Sequence, residues 1–259
     1  MSLDLSFMEN GEGSPLVVLH GLFGSARNWS TLSRRFGEHR HVYALDLRNH
    51  GGSPWAEGMS YPEMAGDIQS FIEGRWLTPA AVLGHSMGGK VAMLLALEHP
   101  DEVERLIVAD IAPVGYRHTL MPYVQAMRAV DLDKAGRRGE VDAQLRTAVP
   151  EAGIRSFLLQ NLVSEDGKLS WRINLPVLET DMPTITGFPE DPGWRPYEGP
   201  VLFLHGARSN YVLPEYEETI RHLFPRARLE AIPDAGHWLH AEQPDRFAEK
   251  VLAFLDEPA

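Results

Sequence analysis

Short runs of apolar, often β-branched residues alternate along the chain with stretches in which apolar residues recur at helical spacing. Continuous apolar runs of this kind are typical of strands buried on both faces of a parallel sheet. They predict six strands, at 15–20, 41–47, 80–85, 105–111, 201–205 and 228–232. The patterns between them predict helices at 25–37, 60–74, 87–99, 214–224 and 243–256. Strands that alternate with helices indicate the α/β class, with a mostly parallel sheet flanked by helices.

The interval of about 114–198 does not follow this alternation. It contains helical patterns but no convincing buried strand, and it is too long for an ordinary connection inside a compact domain. We therefore predict that 1–113 and 199–259 form one core domain. The segment 114–198 is predicted to be a helical cap subdomain inserted between two strands of the sheet.

Charge and missing residue types limit the kinds of partner. The 259 residues carry a formal net charge of −12 at pH 7, which argues against a nucleic-acid surface and repels an anionic membrane. No stretch approaches the roughly 18 apolar residues of a membrane span, and the first residues do not resemble a secretory signal. The chain has no cysteine, which excludes disulfides, thiolate metal ligands and a cysteine nucleophile. We expect a cytoplasmic protein, a monomer or small homo-oligomer, that acts on a small molecule without nucleic-acid or membrane partners.

The segment "GHSMGG" at 84–89 lies between a predicted strand and a predicted helix. This is the G-x-S-x-G motif in the strand–turn–helix context that lifts a nucleophilic serine above a sheet. The sharp turn crowds the backbone, and Gly84 and Gly88 leave space where a Cβ atom would clash. A glycine-rich junction with an idle serine is the alternative, but the context on both sides favours Ser86 as a nucleophile.

With this motif the chain resembles the α/β-hydrolase fold family. The segment "LHGLFGS" at 19–25 is similar to the oxyanion loop of that family. The resemblance implies that Leu22 and Met87 donate backbone N–H groups to the oxyanion of a tetrahedral intermediate. It gives His20 the role of shaping the loop through hydrogen bonds.

Two further segments carry the resemblance. The segment "IPDAGHWLHAEQPDRF" at 232–247 is similar to the loop that holds the catalytic histidine of the family, which implies that His237 is the general base. His240 has no matching role and is expected to be structural. In "ALDLRNHGGS" at 44–53, the resemblance implies that Asp46 braces the floor of the site.

The acid of a catalytic triad is missing from its usual position. Most members of the fold have Gly-x-x-Asp where this chain has Gly-Ala-Arg-Ser at 206–209. Asp110 ends the strand that lies one position closer to Ser86 in the sheet order of the family, and since neighbouring strands are only about 4.8 Å apart, its carboxylate could still reach the histidine. The alternative for Asp110 is a structural role as a helix cap or loop brace. Asp234 and Glu242 are alternatives because they are near His237 in sequence, although loop solvation and helix N-terminal charge also explain them.

A closer resemblance extends over nearly the whole chain. It is to the YbfF-type esterases, a mainly bacterial branch of the fold, and its segments are "HGLFGSARNW", "DLRNHGGSP", "GHSMGGKVAM", "ADIAPV", "FLLQNL", "WRINLP" and "DAGHW". In that branch the acid occupies the position matched by Asp110. The chain departs from the branch at Gly52, where a basic residue is usual, which weakens any claim about anionic groups held at that loop.

These features predict a serine esterase without cofactor or metal. Ser86 would attack the ester carbonyl, His237 would transfer its proton, and Asp110 would fix the tautomer of the imidazole. The apolar and aromatic residues of the cap indicate a mostly apolar acyl pocket for short to medium acyl esters, although the same residues could simply pack the cap onto the sheet.

Other functions remain open at this stage. The resemblance admits acyl-CoA thioesters, for which Arg137, Arg138 and Arg146 could form a local basic patch. Enzymes that hydrolyse carbon–carbon bonds or form peracids have the same fold, and so do proteins that bind ligands with little turnover. Dehalogenases and epoxide hydrolases are disfavoured because they have aspartate where this chain has Ser86.

Overall fold

The computed structural model describes residues 2–191 and 193–258. The strands in these residues are β1 Phe7–Asn10, β2 Pro15–Leu19, β3 His41–Leu45, β4 Ala80–His85, β5 Val103–Ala109, β6 Leu162–Glu165, β7 Lys168–Trp171, β8 Val201–Gly206 and β9 Ala227–Ile232. Seven of them form one sheet in the order β1-β3-β2-β4-β5-β8-β9. β1 is antiparallel to β3, and the other neighbours in the sheet are parallel. The predicted α/β class with a mostly parallel sheet is confirmed, and each of the six predicted strands is present.

The α-helices are α1 Ser30–Phe36, α2 Tyr61–Gly74, α3 Met87–Glu98, α4 Met121–Arg128, α5 Arg138–Leu145, α6 Ala152–Leu158, α7 Leu175–Thr186, α8 Glu217–Leu223, α9 Leu239–Glu242 and α10 Pro244–Leu255. The helices predicted at 25–37 and 214–224 each begin with a short 3-10 turn before α1 and α8. At the start of α2, the Ser60 hydroxyl accepts the Glu63 N–H while the Glu63 carboxylate accepts the Ser60 N–H. This reciprocal capping satisfies two donors that the helix itself cannot.

Two apolar cores cover the two faces of the sheet. Successive residues of a strand point to opposite faces, so Leu16 and Val18 of β2 pack with α1 and α10, whereas Val17 and Leu19 pack with α2 and α3. Because both faces are covered, the strands are apolar without alternation, as the sequence pattern indicated.

The segment between β5 and β8 contains α4, α5, α6 and α7. It also contains the two-stranded hairpin of β6 and β7, which was not predicted. The strands of the hairpin are half exposed, which is why the apolar pattern of buried strands is absent there. The boundaries of a cap subdomain at 114–198 remain a prediction.

The order of the strands determines where a site can form. After β2 the chain crosses to β3 on one side, and it then returns to β4 on the other side of β2. Open α/β sheets bind ligands at such a switch point, beyond the carboxyl ends of the strands. The loops that follow β2 and β4 therefore meet at the edge where "LHGLFGS" and "GHSMGG" lie.

Candidate active site

Ser86 occupies a strained turn between β4 and α3. Its backbone angles, φ 53° and ψ −119°, lie in a region that residues other than glycine rarely adopt. The backbone comes so close here that a Cβ atom on Gly84 would lie 2.1 Å from the Gly88 carbonyl oxygen, and one on Gly88 would lie 2.6 Å from that of His20. The Ser86 N–H donates to the Ala109 carbonyl at 2.9 Å, which ties the turn to the neighbouring strand β5.

His237 lies between Ser86 and Asp110. Its Nε2 is 3.1 Å from the Ser86 hydroxyl, and its Nδ1 is 2.8 Å from Asp110 Oδ2. With the proton on Nδ1, the ring donates to the carboxylate and its Nε2 can accept the hydrogen of the Ser86 hydroxyl. The structure thus brings together the three side chains for which the sequence predicts a triad, and their catalytic roles remain predictions.

Two residues, one at the end of β8 and one in the loop that follows it, hold the Asp110 carboxylate. Gly206 donates its N–H to Oδ1 at 2.9 Å, and the Ser209 hydroxyl donates to Oδ2 at 2.5 Å. Asp110 has no exposed surface, and its φ of 54° is left-handed. A buried carboxylate is costly unless it is hydrogen-bonded, and these contacts together with His237 satisfy it.

The alternative acids make other contacts. Glu242 accepts the Gly236 N–H at 3.0 Å and lies 3.4 Å from the Arg208 guanidinium. The carbonyl of Asp234 accepts a hydrogen bond from the same guanidinium at 2.6 Å. Both residues therefore restrain the loop that precedes His237, and neither makes a hydrogen bond to its ring among the contacts of the described chain.

Two aromatic side chains fix the position of His237. The His85 ring donates from Nε2 to the His237 carbonyl at 2.8 Å, which anchors the backbone of the loop. The Tyr211 ring is stacked on the imidazole, with centroids 4.0 Å apart and planes inclined by 21°. Together these contacts limit the rotation of the His237 ring.

The candidate oxyanion donors lie next to Ser86. Met87 is the first residue of α3, so its N–H has no partner within the helix. The oxyanion loop passes so close that a Cβ atom on Gly21 would lie 3.1 Å from the Cβ atom of Ser86. Leu22 follows in the same loop and lines both cavities that reach Ser86. The role of Leu22 and Met87 in binding an oxyanion remains a prediction.

Buried histidines hold the loops around the site. His20 donates from Nδ1 to the Gly21 carbonyl and accepts the Leu47 N–H at Nε2, both at 2.9 Å. His50 donates from Nδ1 to the Arg48 carbonyl at 3.0 Å and accepts the Phe23 N–H. Burial lowers the pKa of His20 to about 4 and that of His50 to about 3. Both rings are therefore neutral at pH 7 and have their nitrogens engaged, as a structural role requires.

Asp46 and His240 also make the contacts of structural residues. The Asp46 carboxylate accepts the Ala26 N–H and the Gly52 N–H, each at 2.7 Å, and so joins the loops after β2 and β3. The His240 ring is stacked on Trp29 with centroids 4.6 Å apart. Burial lowers the pKa of His240 to about 3, which keeps this ring neutral as well.

Two cavities meet at Ser86. The larger, of about 220 Å³, is mostly apolar, and α6 of the inserted segment contributes Ile154, Phe157 and Leu158 to its wall. The smaller, of about 40 Å³, lies on the side of α3 and α7. Tyr211 and Leu120 line both cavities. The nucleophile candidate is thus accessible from two sides.

Two other classes of site, a metal centre and a membrane-spanning helix, are absent from the described residues. Within 2–191 and 193–258, no group of three or more His, Asp or Glu side chains is arranged to hold a metal ion. Over the same part of the chain, no helix has both the length and the apolar character needed to cross a bilayer.

A strand–turn–helix serine at the switch point of such a sheet defines a protein of the α/β-hydrolase class. The sequence pattern of the alpha/beta hydrolase family matches residues 16–250. The chain therefore belongs to the alpha/beta hydrolase family.

Individual relatives cover almost the whole chain. The mouse sn-1-specific diacylglycerol lipase ABHD11 is 44% identical over 248 residues, which are 93% of this chain and 80% of that protein. Esterase YbfF of Escherichia coli is 38% identical over 247 residues, and the match covers 94% of each chain. The solved structure of a marine microorganism esterase superposes with a TM-score of 0.94 at 40% identity, covering 98% of this chain and 100% of the other. The resemblance to YbfF-type esterases is thereby confirmed.

Sequence reasoning missed several residues around the site. Ser209 stands where most members of the fold have the acid and was given no role, yet its hydroxyl donates to Asp110. Tyr211 and His85 were not singled out, and no local sequence pattern marks a ring that stacks on a distant histidine. Lys90 was also missed, although a lysine in the otherwise apolar helix after the nucleophile motif is a detectable signal. Lys90 is 1% exposed.

Proposed function

We propose that this chain is a serine carboxylic-ester hydrolase that works through an acyl-enzyme intermediate. The observation that carries the proposal is the continuous hydrogen-bonded line from Ser86 through His237 to Asp110, at the junction of two cavities. The names of the relatives, which include an esterase and a diacylglycerol lipase, support ester hydrolysis. They do not bear on which residues perform it.

In the first half of the proposed reaction, the Ser86 oxygen attacks the ester carbonyl while His237 Nε2 takes the hydroxyl proton. The N–H groups of Leu22 and Met87 bind the oxyanion, and each such donor typically contributes about 3 kcal/mol to the transition state. The imidazolium then gives its proton to the departing alkoxy oxygen as the C–O bond breaks. The acyl group stays bonded to Ser86.

In the second half, a water enters and His237 takes one of its protons as the water attacks the acyl carbonyl. Collapse of the second tetrahedral intermediate releases the carboxylic acid and returns the proton to Ser86. Throughout, the Asp110 carboxylate holds the Nδ1 proton and stabilises the imidazolium. The Ser209 hydroxyl and the Gly206 N–H keep that carboxylate in place.

In this proposal the inserted segment acts as a cap over the site. Ile154, Phe157 and Leu158 of α6 and Tyr123 of α4 line the larger cavity. Their apolar surfaces exclude water from the reacting bond, which strengthens the electrostatic interactions within the site.

Thioester hydrolysis is a second candidate, and one observation favours it. An open groove adjoining the larger cavity is lined by Arg27, Arg138 and Arg172, with Glu151 as its acid. The positive charge of such a groove suits an anionic leaving group such as the phosphorylated thiol of an acyl-CoA. Of the arginines first considered, Arg137 pairs with Glu140 and Arg146 with Asp142, so only Arg138 contributes to this groove.

The first test combines turnover with covalent labelling. Wild type should hydrolyse p-nitrophenyl butyrate and react with a fluorophosphonate probe, and Ser86→Ala should lose both. Ser33→Ala is the control, because Ser33 lies on α1 and lines neither cavity at Ser86, and it should retain both activities. A folded wild type that is labelled without turnover would favour another bond type, and one that is not labelled would favour a ligand-binding protein.

A further inference from the structure

The two cavities at Ser86 differ in which candidate catalytic groups they contact. His237 lines the larger cavity but is not among the lining residues of the smaller one. Met87, a candidate oxyanion donor, lines the smaller cavity but not the larger. An ester bound at Ser86 has an acyl side and an alkoxy side, and the two cavities at Ser86 offer a separate place for each.

The chemistry of the proposed function decides which side goes where. The imidazolium of His237 must reach the alkoxy oxygen to protonate it as the C–O bond breaks. The alkoxy group therefore belongs in the larger cavity, where His237 is exposed. The acyl group is left with the smaller cavity, beside Met87. This inference rests on the proposed function, since it assumes that Ser86 and His237 act in these roles.

The size of the smaller cavity limits the acyl group. A single water needs roughly 10–15 Å³ of cavity volume. A cavity of about 40 Å³ thus holds about three atoms of that size beyond the carbonyl carbon. Met182 and Ile185 of α7 close it, and both are buried. The larger cavity, at about 220 Å³, has room for a longer alkoxy chain.

A buried cation lines the smaller cavity. Lys90, 1% exposed, donates to the Thr186 carbonyl at 3.0 Å and to the Gly187 carbonyl. Its ammonium lies 4.8 Å from the centre of the Tyr116 ring. No ion pair with a carboxylate is found for it among the described residues, and burial lowers its pKa to about 7.

When Lys90 is protonated, these contacts leave one donor of its ammonium without a hydrogen-bond acceptor among the described residues. An ammonium has three N–H groups, and the two carbonyls use two of them. A buried cation without a counter-charge is costly, so an electronegative atom at the far end of a bound acyl group would be stabilised there. Apart from Ser86, the other polar side chains that line the smaller cavity are Tyr61, Tyr116, His118, Thr186 and Tyr211.

We propose that the smaller cavity is the acyl subsite, that it takes short acyl groups, and that Lys90 selects those whose far end carries a hydrogen-bond acceptor. The substrates of this class are esters of a short, polar-ended carboxylic acid with a longer apolar alcohol. Lys90 is then a specificity residue, and the direction of ester binding follows from the position of His237.

Two isomeric esters test the direction of binding at equal hydrophobicity. Hexyl acetate has its long chain on the alkoxy side, and ethyl hexanoate has it on the acyl side. Wild type should prefer hexyl acetate by about tenfold or more in kcat/KM, since one excluded methylene alone changes discrimination by about that factor. A preference for ethyl hexanoate, or equal rates, would overturn the proposal while leaving ester hydrolysis intact. Failure to hydrolyse either ester would instead contradict the proposed function.

Matched cavity variants locate the effect. Met182→Ala enlarges only the smaller cavity and should raise the relative rate on ethyl hexanoate. Leu158→Ala is the matched variant, because it truncates a buried apolar side chain that lines only the larger cavity. The relative rate on ethyl hexanoate should therefore be lower in Leu158→Ala than in Met182→Ala. If Leu158→Ala is the variant that admits ethyl hexanoate, the acyl group lies in the larger cavity and the assignment is wrong.

The role of Lys90 is tested with hexyl methoxyacetate and hexyl butyrate, which differ by an oxygen in place of a methylene. Lys90→Met should lower the methoxyacetate-to-butyrate ratio of kcat/KM by about tenfold, the usual effect of losing a hydrogen bond from a charged group. Using the ratio removes the intrinsic reactivity of the methoxyacetate. An unchanged ratio in a folded variant would contradict the role of Lys90. Should Lys90→Met not fold, Lys90→Gln keeps a donor and should lower the ratio by less than tenfold, and a ratio equal to that of wild type would again contradict it.

Discussion

Replacing Asp110 with asparagine tests the contact between the end of β5 and His237 with the smallest change of shape. The substitution exchanges one carboxylate oxygen for an NH₂ group and removes the negative charge. Asp110 is completely buried, so water cannot compensate for either change. The result depends on which of the two positions the NH₂ group takes.

The neighbours of Asp110 determine that orientation. The Gly206 N–H donates to Oδ1 at 2.9 Å, and an NH₂ group in this position would place two donors face to face. The amide oxygen therefore stays at Gly206, and the NH₂ group points at His237 Nδ1 and the Ser209 hydroxyl. Ser209 can rotate its hydrogen and accept, but Nδ1 must give up its proton. The imidazole then carries its proton on Nε2, which faces Ser86 and can no longer accept.

The expected loss follows from this change of tautomer. An imidazole held in the wrong tautomer lowers kcat by about 10⁴ in serine hydrolases, which corresponds to about 5 kcal/mol in the barrier at about 1.4 kcal/mol per tenfold change. The loss should appear in kcat rather than in KM, because Asp110 lines neither of the cavities at Ser86.

The assay is hydrolysis of p-nitrophenyl butyrate, with thermal unfolding as the check on folding. Asp234→Asn and Glu242→Gln are matched controls, since the Asp234 carbonyl and the Glu242 carboxylate accept hydrogen bonds in the same loop and neither bonds to the ring among the described contacts. Each control should stay within about tenfold of wild type. If folded Asp110→Asn stays within a few-fold of wild type, or if a control loses as much activity, Asp110 is a structural brace and the reasoning fails.

Three further predictions concern stability. Gly84→Ala should prevent or strongly weaken folding, because its Cβ atom would lie 2.1 Å from a carbonyl oxygen, whereas Gly66→Ala within α2 meets nothing within 4 Å and should raise the Tm; equal Tm values would contradict this. Asp67→Asn should cost about 2–3 kcal/mol in urea unfolding, because it removes the buried carboxylate that contacts the Arg48 guanidinium at 2.7 Å while Glu63 still contacts that guanidinium at 2.9 Å, and a cost below 1 kcal/mol would refute the estimate. Acid should destabilise the fold through four neutral buried histidines, namely His20, His50, His85 and His240. Their pKa values in the folded state lie below the usual 6.5, so the unfolded state binds more protons than the folded state as the pH falls. Their contribution to the free energy of unfolding is therefore fully present above about pH 7 and is lost as the pH drops toward 4. Each histidine then costs about 2 kcal/mol at pH 5, and a urea midpoint that stays constant between pH 7.5 and 5 would contradict the assigned protonation states.

The parts of the fold that could be predicted are those with a strong apolar period. The buried parallel strands and the helices between them bury whole faces, and this requirement leaves a pattern in the sequence. β1 was missed because its four residues at the sheet edge are half exposed. α7 was missed because two prolines interrupt its pattern. Pro176 lies in the first turn of the helix, and Pro183 lies inside the helix near its end.

The hairpin of β6 and β7 was missed for a different reason. Its turn contains Asp166 and Gly167, both with positive φ, which is the Asp-Gly combination that favours tight hairpins. This signal was available in the sequence. The flanking strands are short and half exposed, so they lack the continuous apolar run that predicts a buried strand.

The site divides in the same way between local and long-range information. The Ser86 turn is predictable because its steric demands act on residues next to it in the chain, notably Gly84 and Gly88. The stacking of Tyr211 on His237 and the lining of a cavity by Lys90 depend on packing between distant segments. Such contacts depend on the shapes of side chains and the distances between them in the folded chain. The spacing of residue types along the sequence therefore does not predict them.

The carboxylate on β5 illustrates how the sheet relaxes one such long-range constraint. β5 and β8 are neighbours, and the Asp110 N–H donates to the Leu204 carbonyl of β8 at 2.8 Å. Asp110 follows β5 with a positive φ, and its carboxylate accepts hydrogen bonds from the Gly206 N–H at the end of β8 and from the Ser209 hydroxyl in the loop that follows. Moving the acid by one strand therefore requires two compensating features, a left-handed residue at the end of β5 and an uncharged donor at 209. Restoring an acid at that point should place two carboxylates on one imidazole, so Ser209→Asp is expected to impair activity unless Asp110→Asn accompanies it.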